Sequence, residues 1–162
     1  MIIGYGMPRT GGQSLVAALV LMGVRVHKWD LDKQFLIEEI DDQNCDAVVE
    51  VREPIEAVLA RWPAAKIIYT HRNTEYWHAS LDRTREQNEL HPNPIWRASI
   101  VERERTRAIR EADLPAETLW LNICEDTGKE NWRKLTEFLD LPKPVGPFPH
   151  HDMHIHSHAI RR

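Results

Sequence analysis

Strand-like and helix-like segments alternate along this 162-residue chain, and a glycine-rich turn joins the first strand to the first helix. Repeated βα units imply parallel strands joined by right-handed crossovers. The predicted fold class is therefore α/β: a three-layer α/β/α domain with a central parallel sheet, in a P-loop-like nucleotide-binding arrangement. Ligands of such sheets sit at the carboxyl ends of the strands.

Each element follows from its pattern. Ile2-Ile3-Gly4-Tyr5 is a short apolar run read as the first strand. Leu15, Ala18, Leu19 and Met22 then recur at i, i+3, i+4 and i+7, the apolar face of a helix that Gly23 ends. Arg25-Val26-His27 is a second short strand, and a helical stretch from about Leu31 to Ile40 follows. Ala47 to Val51 forms a third strand, and Ile55 to Trp62 a helix broken by Pro63. Lys66-Ile67-Ile68-Tyr69-Thr70 is the clearest strand, with a helix from Glu75 to Arg83 after it. A long helix is expected from Pro94 to Ala112, with Ala98, Val101, Ala108 and Ala112 at helical spacing. Thr118 to Ile123 alternates as a last strand. Lys129 to Asp140 closes the domain as a helix burying Trp132, Leu135, Phe138 and Leu139. One domain spans residues 1–150. Residues 151–162 form a His-rich tail.

The turn after the first strand reads Gly6-Met7-Pro8-Arg9-Thr10-Gly11-Gly12-Gln13-Ser14. A Gly-rich turn ahead of a helix aims backbone N–H groups and the positive end of the helix dipole at an anion. Gly6-x4-Gly11 matches the start of a Walker A loop. Where that loop continues with Lys and then Ser or Thr, this chain has Gly12 and Gln13. Without the lysine that reaches the β- and γ-phosphates and the hydroxyl that holds Mg²⁺, an ordinary ATP or GTP hydrolase is disfavoured. The positive charge sits at Arg9 instead.

A second anion site is suggested by Arg72, at the carboxyl end of the clearest strand, and Ser80 on the helix that follows. A guanidinium fork and a hydroxyl from adjacent elements can grip one phosphate. The plainer alternative is a surface ion pair plus a helix serine.

Composition bounds the partners. The net charge of −4, with charged residues of mixed sign, gives no general pull toward nucleic acid or an anionic membrane. No apolar run approaches a membrane span, and no signal peptide is expected before the first strand. Cys45 and Cys124 lack metal or redox spacing and are read as free thiols in a reducing cytoplasm. The tail histidines 150, 151, 154, 156 and 158 could take up a transition metal, though no other ligand set supports a built site. The helix from Pro94 to Ala112 interleaves Arg97, Arg103, Arg105, Arg107 and Arg110 with Glu102, Glu104 and Glu111. Such mixed charge reads first as a solvated face, and second as a border of a binding pocket.

Three segments together resemble the compact branch of the PAPS-dependent sulfotransferases. Gly6 to Leu15 is similar to that family's loop for the 5′-phosphosulfate. Lys66 to Leu81, with Arg72, Trp77 and Ser80 in register after the strand, resembles its 3′-phosphate segment. Glu125-Asp126 through Trp132, Leu135 and Phe138-Leu139 to Pro147-Phe148-Pro149-His150 resembles its C-terminal segment. The resemblance implies transfer of a sulfuryl group from PAPS (3′-phosphoadenosine 5′-phosphosulfate) to a hydroxyl or amine, with PAP as product and no metal required. It implies that Arg9 contacts the 5′-phosphosulfate and stabilises the leaving oxygen. Thr10, Gly11, Gly12, Gln13 and Ser14 supply donors, and Arg72 and Ser80 bind the 3′-phosphate. Gly12 and Gln13 depart from the hydroxyl residues common in that loop.

Sulfuryl transfer to a hydroxyl needs a group within reach of its proton. Glu50, ending the third strand, is the first candidate base, and His27 on the same expected rim the second. His71 is expected to point away from the site, because strand neighbours alternate. The acceptor is expected to be a small molecule or glycan, with no nucleic acid or membrane partner. The short chain suggests an open acceptor side, or one completed in a homodimer. The rival readings are an atypical P-loop nucleotide or small-molecule kinase, and a non-catalytic nucleotide-binding module.

Overall fold

Five parallel strands run in the order β2-β3-β1-β4-β5 in the computed structural model, which describes residues 1–28, 40–51, 53–87 and 98–150. The strands are β1 (Ile2–Gly6), β2 (Val26–Lys28), β3 (Ala47–Val51), β4 (Lys66–Thr70) and β5 (Leu119–Leu121). The helices among the described residues are α1 (Gly12–Leu21), α2 (Ile55–Arg61), α3 (Thr74–Gln87), α4 (Ile100–Ala112) and α5 (Gly128–Leu139). The α/β class and the central parallel sheet of the sequence reading are both present. The helical stretch expected between Leu31 and Ile40, apart from Ile40 itself, and the tail from 151 onward lie outside the described residues.

The sheet separates two apolar layers, as the alternation of side chains along each strand requires. Ile3, Tyr5, Val48, Ile67 and Tyr69 pack with Ile55, Val58 and Trp62 of the α2 region. Ala47, Val49, Ile68 and Leu121 pack on the other face with Leu15, Ala18 and Leu19 of α1 and Trp132, Leu135 and Leu139 of α5. All four predicted apolar positions of α5 contact this layer, though Phe138 is only partly buried. Phe148 returns after the helix to stack edge-on against Trp132, at 4.8 Å between ring centres.

β1 is central. From it the chain first builds the β3–β2 side and then, after β3, crosses to the β4–β5 side. The order therefore reverses beside β1, and the carboxyl ends of β3, β1 and β4 flank a topological switch point, where open α/β sheets leave a crevice for ligands. Glu50, the Gly6 loop and Arg72 all leave the sheet there.

Two expectations are corrected. The helix expected from Pro94 begins at Ile100, because Ser99 caps it: the Ser99 hydroxyl accepts from the Glu102 N–H at 3.2 Å. Its apolar spacing also does not mark a buried face. Val101 is 73% exposed and Ala108 and Ala112 are exposed, while Arg103 is only 3% exposed. The arginine face, read first as solvated, packs onto the molecule.

Candidate active site

The loop between β1 and α1 is braced from several directions. Thr10 Oγ1 lies 2.6 Å from the Met7 carbonyl oxygen, to which it donates, and 2.8 Å from Thr70 Oγ1 on β4. Buried to 2% exposure, this hydroxyl holds the loop closed and is not turned outward as a ligand donor. Trp77, wholly buried with Met7 and Leu81, donates its indole N–H to the Pro8 carbonyl at 2.8 Å. The register of Trp77 after β4, noted in the sequence, thus has a physical purpose: α3 supports the loop from beneath. Gly11 caps α1 at φ 107° and accepts the first helical bond, from the Leu15 N–H at 3.0 Å. That left-handed angle suits glycine, and Ile123 leaves no room for a side chain there.

Arg9 occupies the left-handed region at φ 69°. For a residue with a Cβ this costs about 1–2 kcal/mol. Its Nε donates to Ser80 Oγ at 3.2 Å, and Ser80 is buried at 1% exposure. The sequence reading grouped Ser80 with Arg72; the structure joins it to Arg9, because the first turns of α3 pass beneath the loop. Ser14 is buried on the first turn of α1, and Gln13 is half-buried beside it.

Glu50 has the least regular backbone at the site. Gly4 pairs with Val49 but Tyr5 pairs with Val51, so Glu50 is the extra residue of a bulge, at φ 68°. Alternation alone would send Glu50 to the face that Val48 occupies, toward α2. The bulge returns Val51 to that face and turns Glu50 onto the α1 side. There its carboxylate lies against the loop. A Cβ on Gly12 would stand 2.6 Å from Glu50 Oε1 and 2.9 Å from its Cγ. The departure at Gly12 thus has a cause: the space a side chain would fill belongs to Glu50.

His27, the second candidate base, lies within β2 opposite Val48, two residues below the level of Glu50. At about 3.3 Å per residue it sits about 7 Å short of the Glu50 level, one residue before the end of the edge strand β2. His71 packs its ring edge-on against Trp120, 5.7 Å between centres, and burial, with Arg107 nearby, holds its pKa below the ordinary value.

Arg72 follows β4, and its Nε is buried without a hydrogen-bond partner among the described residues. A buried guanidinium nitrogen left unsatisfied is costly, and an anionic oxygen would satisfy it. Asn73 begins the next turn: its N–H donates to Glu125 Oε1 at 2.7 Å, and its side chain accepts from the Glu75 N–H at 2.9 Å. Glu125, singled out in the sequence, thereby holds the segment carrying Arg72 in place. Among the described residues no group of His, Cys, Asp and Glu is arranged to hold a metal ion, and no helix is long and apolar enough to cross a membrane.

The carboxyl ends of β3, β1 and β4 thus bring Glu50, Arg9 and Arg72 to one edge of the sheet, beside a glycine-rich loop opening α1. The sequence matches the family described as sulfotransferase domain over residues 37–127, more than half of the chain, and the protein belongs to that family. The match includes Glu50, Arg72 and Ser80 and leaves the β1–α1 loop outside, so the reading of that loop rests on its geometry. No curated protein matches the sequence.

Proposed function

We propose that the protein moves a sulfuryl group from PAPS to a hydroxyl or amine of a small-molecule or glycan acceptor, by in-line transfer without a bridging metal. One observation carries this furthest: a backbone bulge turns the Glu50 carboxylate onto the loop at Gly12, where a nucleotide-hydrolysing loop carries its lysine. A carboxylate there suits proton removal from an acceptor and opposes the binding of a γ-phosphate.

The residues fit a doubly anionic donor. The orphaned Nε of Arg72 calls for an anion, and Arg72 with Ser80 would hold the 3′-phosphate. Arg9 and the N–H groups of residues 10–14 would hold the 5′ end, and Arg9 would stabilise charge on the leaving phosphate oxygen. When bound, the donor supplies an activated sulfuryl group. Because Arg9 donates to Ser80, the two ends of the site share one hydrogen bond, so filling one end reorients a group of the other. Glu50 would take the acceptor proton; His27, two residues below it on the edge strand, is the weaker choice.

Calorimetry with PAP, ADP and ATP, each with and without Mg²⁺, tests the donor assignment. Tight, metal-independent binding of PAP alone is expected. Preference for ATP with Mg²⁺ would replace this reading with the kinase alternative, and binding of none would remove the donor assignment altogether.

A further inference from the structure

Helix α4 carries Arg103, Arg107 and Arg110 on one face, at i, i+4 and i+7, and turns that face inward. Each guanidinium is committed to a different element. Arg103 donates to Asp82 Oδ1 on α3 from both terminal nitrogens, at 3.1 and 3.2 Å. Arg107 Nη1 donates to the carbonyl oxygen of Arg72 at 3.0 Å. Arg110 Nη1 donates to the carbonyl oxygen of Gly6 at 3.1 Å. Gly6 is the residue at which β1 becomes the phosphate loop, and Arg72 is the residue of the second anion site. Two side chains one helical turn apart therefore grip the two anion-binding segments by their backbones.

The grips are themselves held. Arg107 Nε donates to Glu111 Oε1 at 2.7 Å, and the guanidinium lies over the Trp77 ring at 5.6 Å. Glu111 also accepts from the Tyr69 hydroxyl at 3.1 Å, and burial keeps that phenol protonated far above its ordinary range. Arg110 lies over the Tyr5 ring at 5.0 Å. Planar guanidinium groups suit this work, since the rigid fork fixes the direction of each donor while its flat face stacks on a ring; an ammonium is a point charge on a flexible stem with no flat face to stack.

We infer that Arg107 and Arg110 are positioning residues that hold the two anion-binding segments at the separation a two-anion nucleotide requires. The inference rests on the donor site proposed above. Once one anion of such a ligand is bound, the second binds at an effective concentration set by how rigidly the two segments are spaced. Loosening one grip lowers that concentration without removing any contact to the ligand.

The test is calorimetry on the full chain and its Arg107→Lys and Arg110→Lys variants, which keep the charge and lose the fork. The ligands are adenosine 3′,5′-bisphosphate, adenosine 5′-monophosphate and adenosine 3′-monophosphate. Each variant is expected to bind the bisphosphate about tenfold more weakly, the worth of one charge-assisted hydrogen bond, while monophosphate affinities stay within about threefold. Equal losses for all three ligands, or an unchanged bisphosphate affinity, would overturn the inference. Amide hydrogen exchange without ligand separates this claim from the donor assignment. If no nucleotide binds the parent protein, the donor reading fails, and faster exchange at residues 7–11 in Arg110→Lys and 71–74 in Arg107→Lys still supports the positioning role. Unchanged exchange there would sink it.

Discussion

Arg9 and Glu50 both hold left-handed backbone angles, φ 69° and 68°, and both are functional candidates at the carboxyl edge of the sheet. Strain of this kind persists where surrounding contacts over-determine it. For Glu50 the determining neighbour is Gly12, whose missing side chain is the space its carboxylate uses. Gly12→Ala is expected to lower stability by about 1–3 kcal/mol, as overpacking does. In a Glu50→Ala background most of that loss should vanish. A double-mutant cycle by urea denaturation measures the coupling; equal costs in both backgrounds would show that the two residues do not compete for space. His71 offers a pH test. Its pKa is lowered by burial first and by Arg107 second, so the unfolded chain binds its proton more readily than the folded one. The stability this contributes is fully present above the unfolded value of about 6.5 and is lost as pH falls through it. The melting temperature should therefore drop between pH 7 and 5, and His71→Gln should flatten that slope. An unchanged slope would assign the pH dependence to other groups.

At the scale of elements, α4 departs most from its sequence pattern. Ala98, Val101, Ala108 and Ala112 mark an apolar stripe, yet the packed face carries three arginines. Apolar spacing predicts burial only when the opposing surface is apolar, and here that surface offers backbone carbonyls, Asp82 and aromatic rings. Asp82 and the carbonyls of Arg72 and Gly6 lie 21, 35 and 104 positions from the arginines they bind and leave no local trace. Val101→Lys is accordingly expected to change stability by less than about 0.5 kcal/mol, whereas Arg103→Ala strips a 3%-exposed side chain and both bonds to Asp82. With Asp82 half exposed, about 2 kcal/mol is expected for that loss, below the figure for a fully buried pair. Urea midpoints compare the two directly. α5 is the opposite case. Trp132, Leu135, Phe138 and Leu139 read as a face and contact the core as one, because α5 packs on an apolar layer. Asp140, at φ 57°, ends it in a left-handed cap. Asp140→Gly should raise stability by about 0.5–1 kcal/mol and leave nucleotide binding unchanged, as measured by denaturation and calorimetry.

For the whole molecule, the switch point beside β1 collects residues that are far apart in sequence. The loop from β1, Glu50 from β3 and Arg72 from β4 meet because three adjacent parallel strands end at the same edge. That each lies at the carboxyl end of its strand was legible in the chain; which strands are neighbours was not. A glycine-rich turn, apolar strands and amphipathic helices are signals with short periods, set by backbone geometry and by the burial of apolar side chains. They specify the α/β class, the order of elements and the loop with Arg9 in it. The direction of Glu50 was not legible, because a bulge arises from a mismatch between β1 and β3 and each strand alone looks regular. The joining of Ser80 to Arg9, and not to Arg72, depends on where α3 crosses beneath the loop. The inward arginines of α4 depend on carbonyls exposed where β1 and β4 run out. Periodicity is a property of one segment and can be read from it; a partner across the sheet belongs to two segments, and only folding brings both to one place.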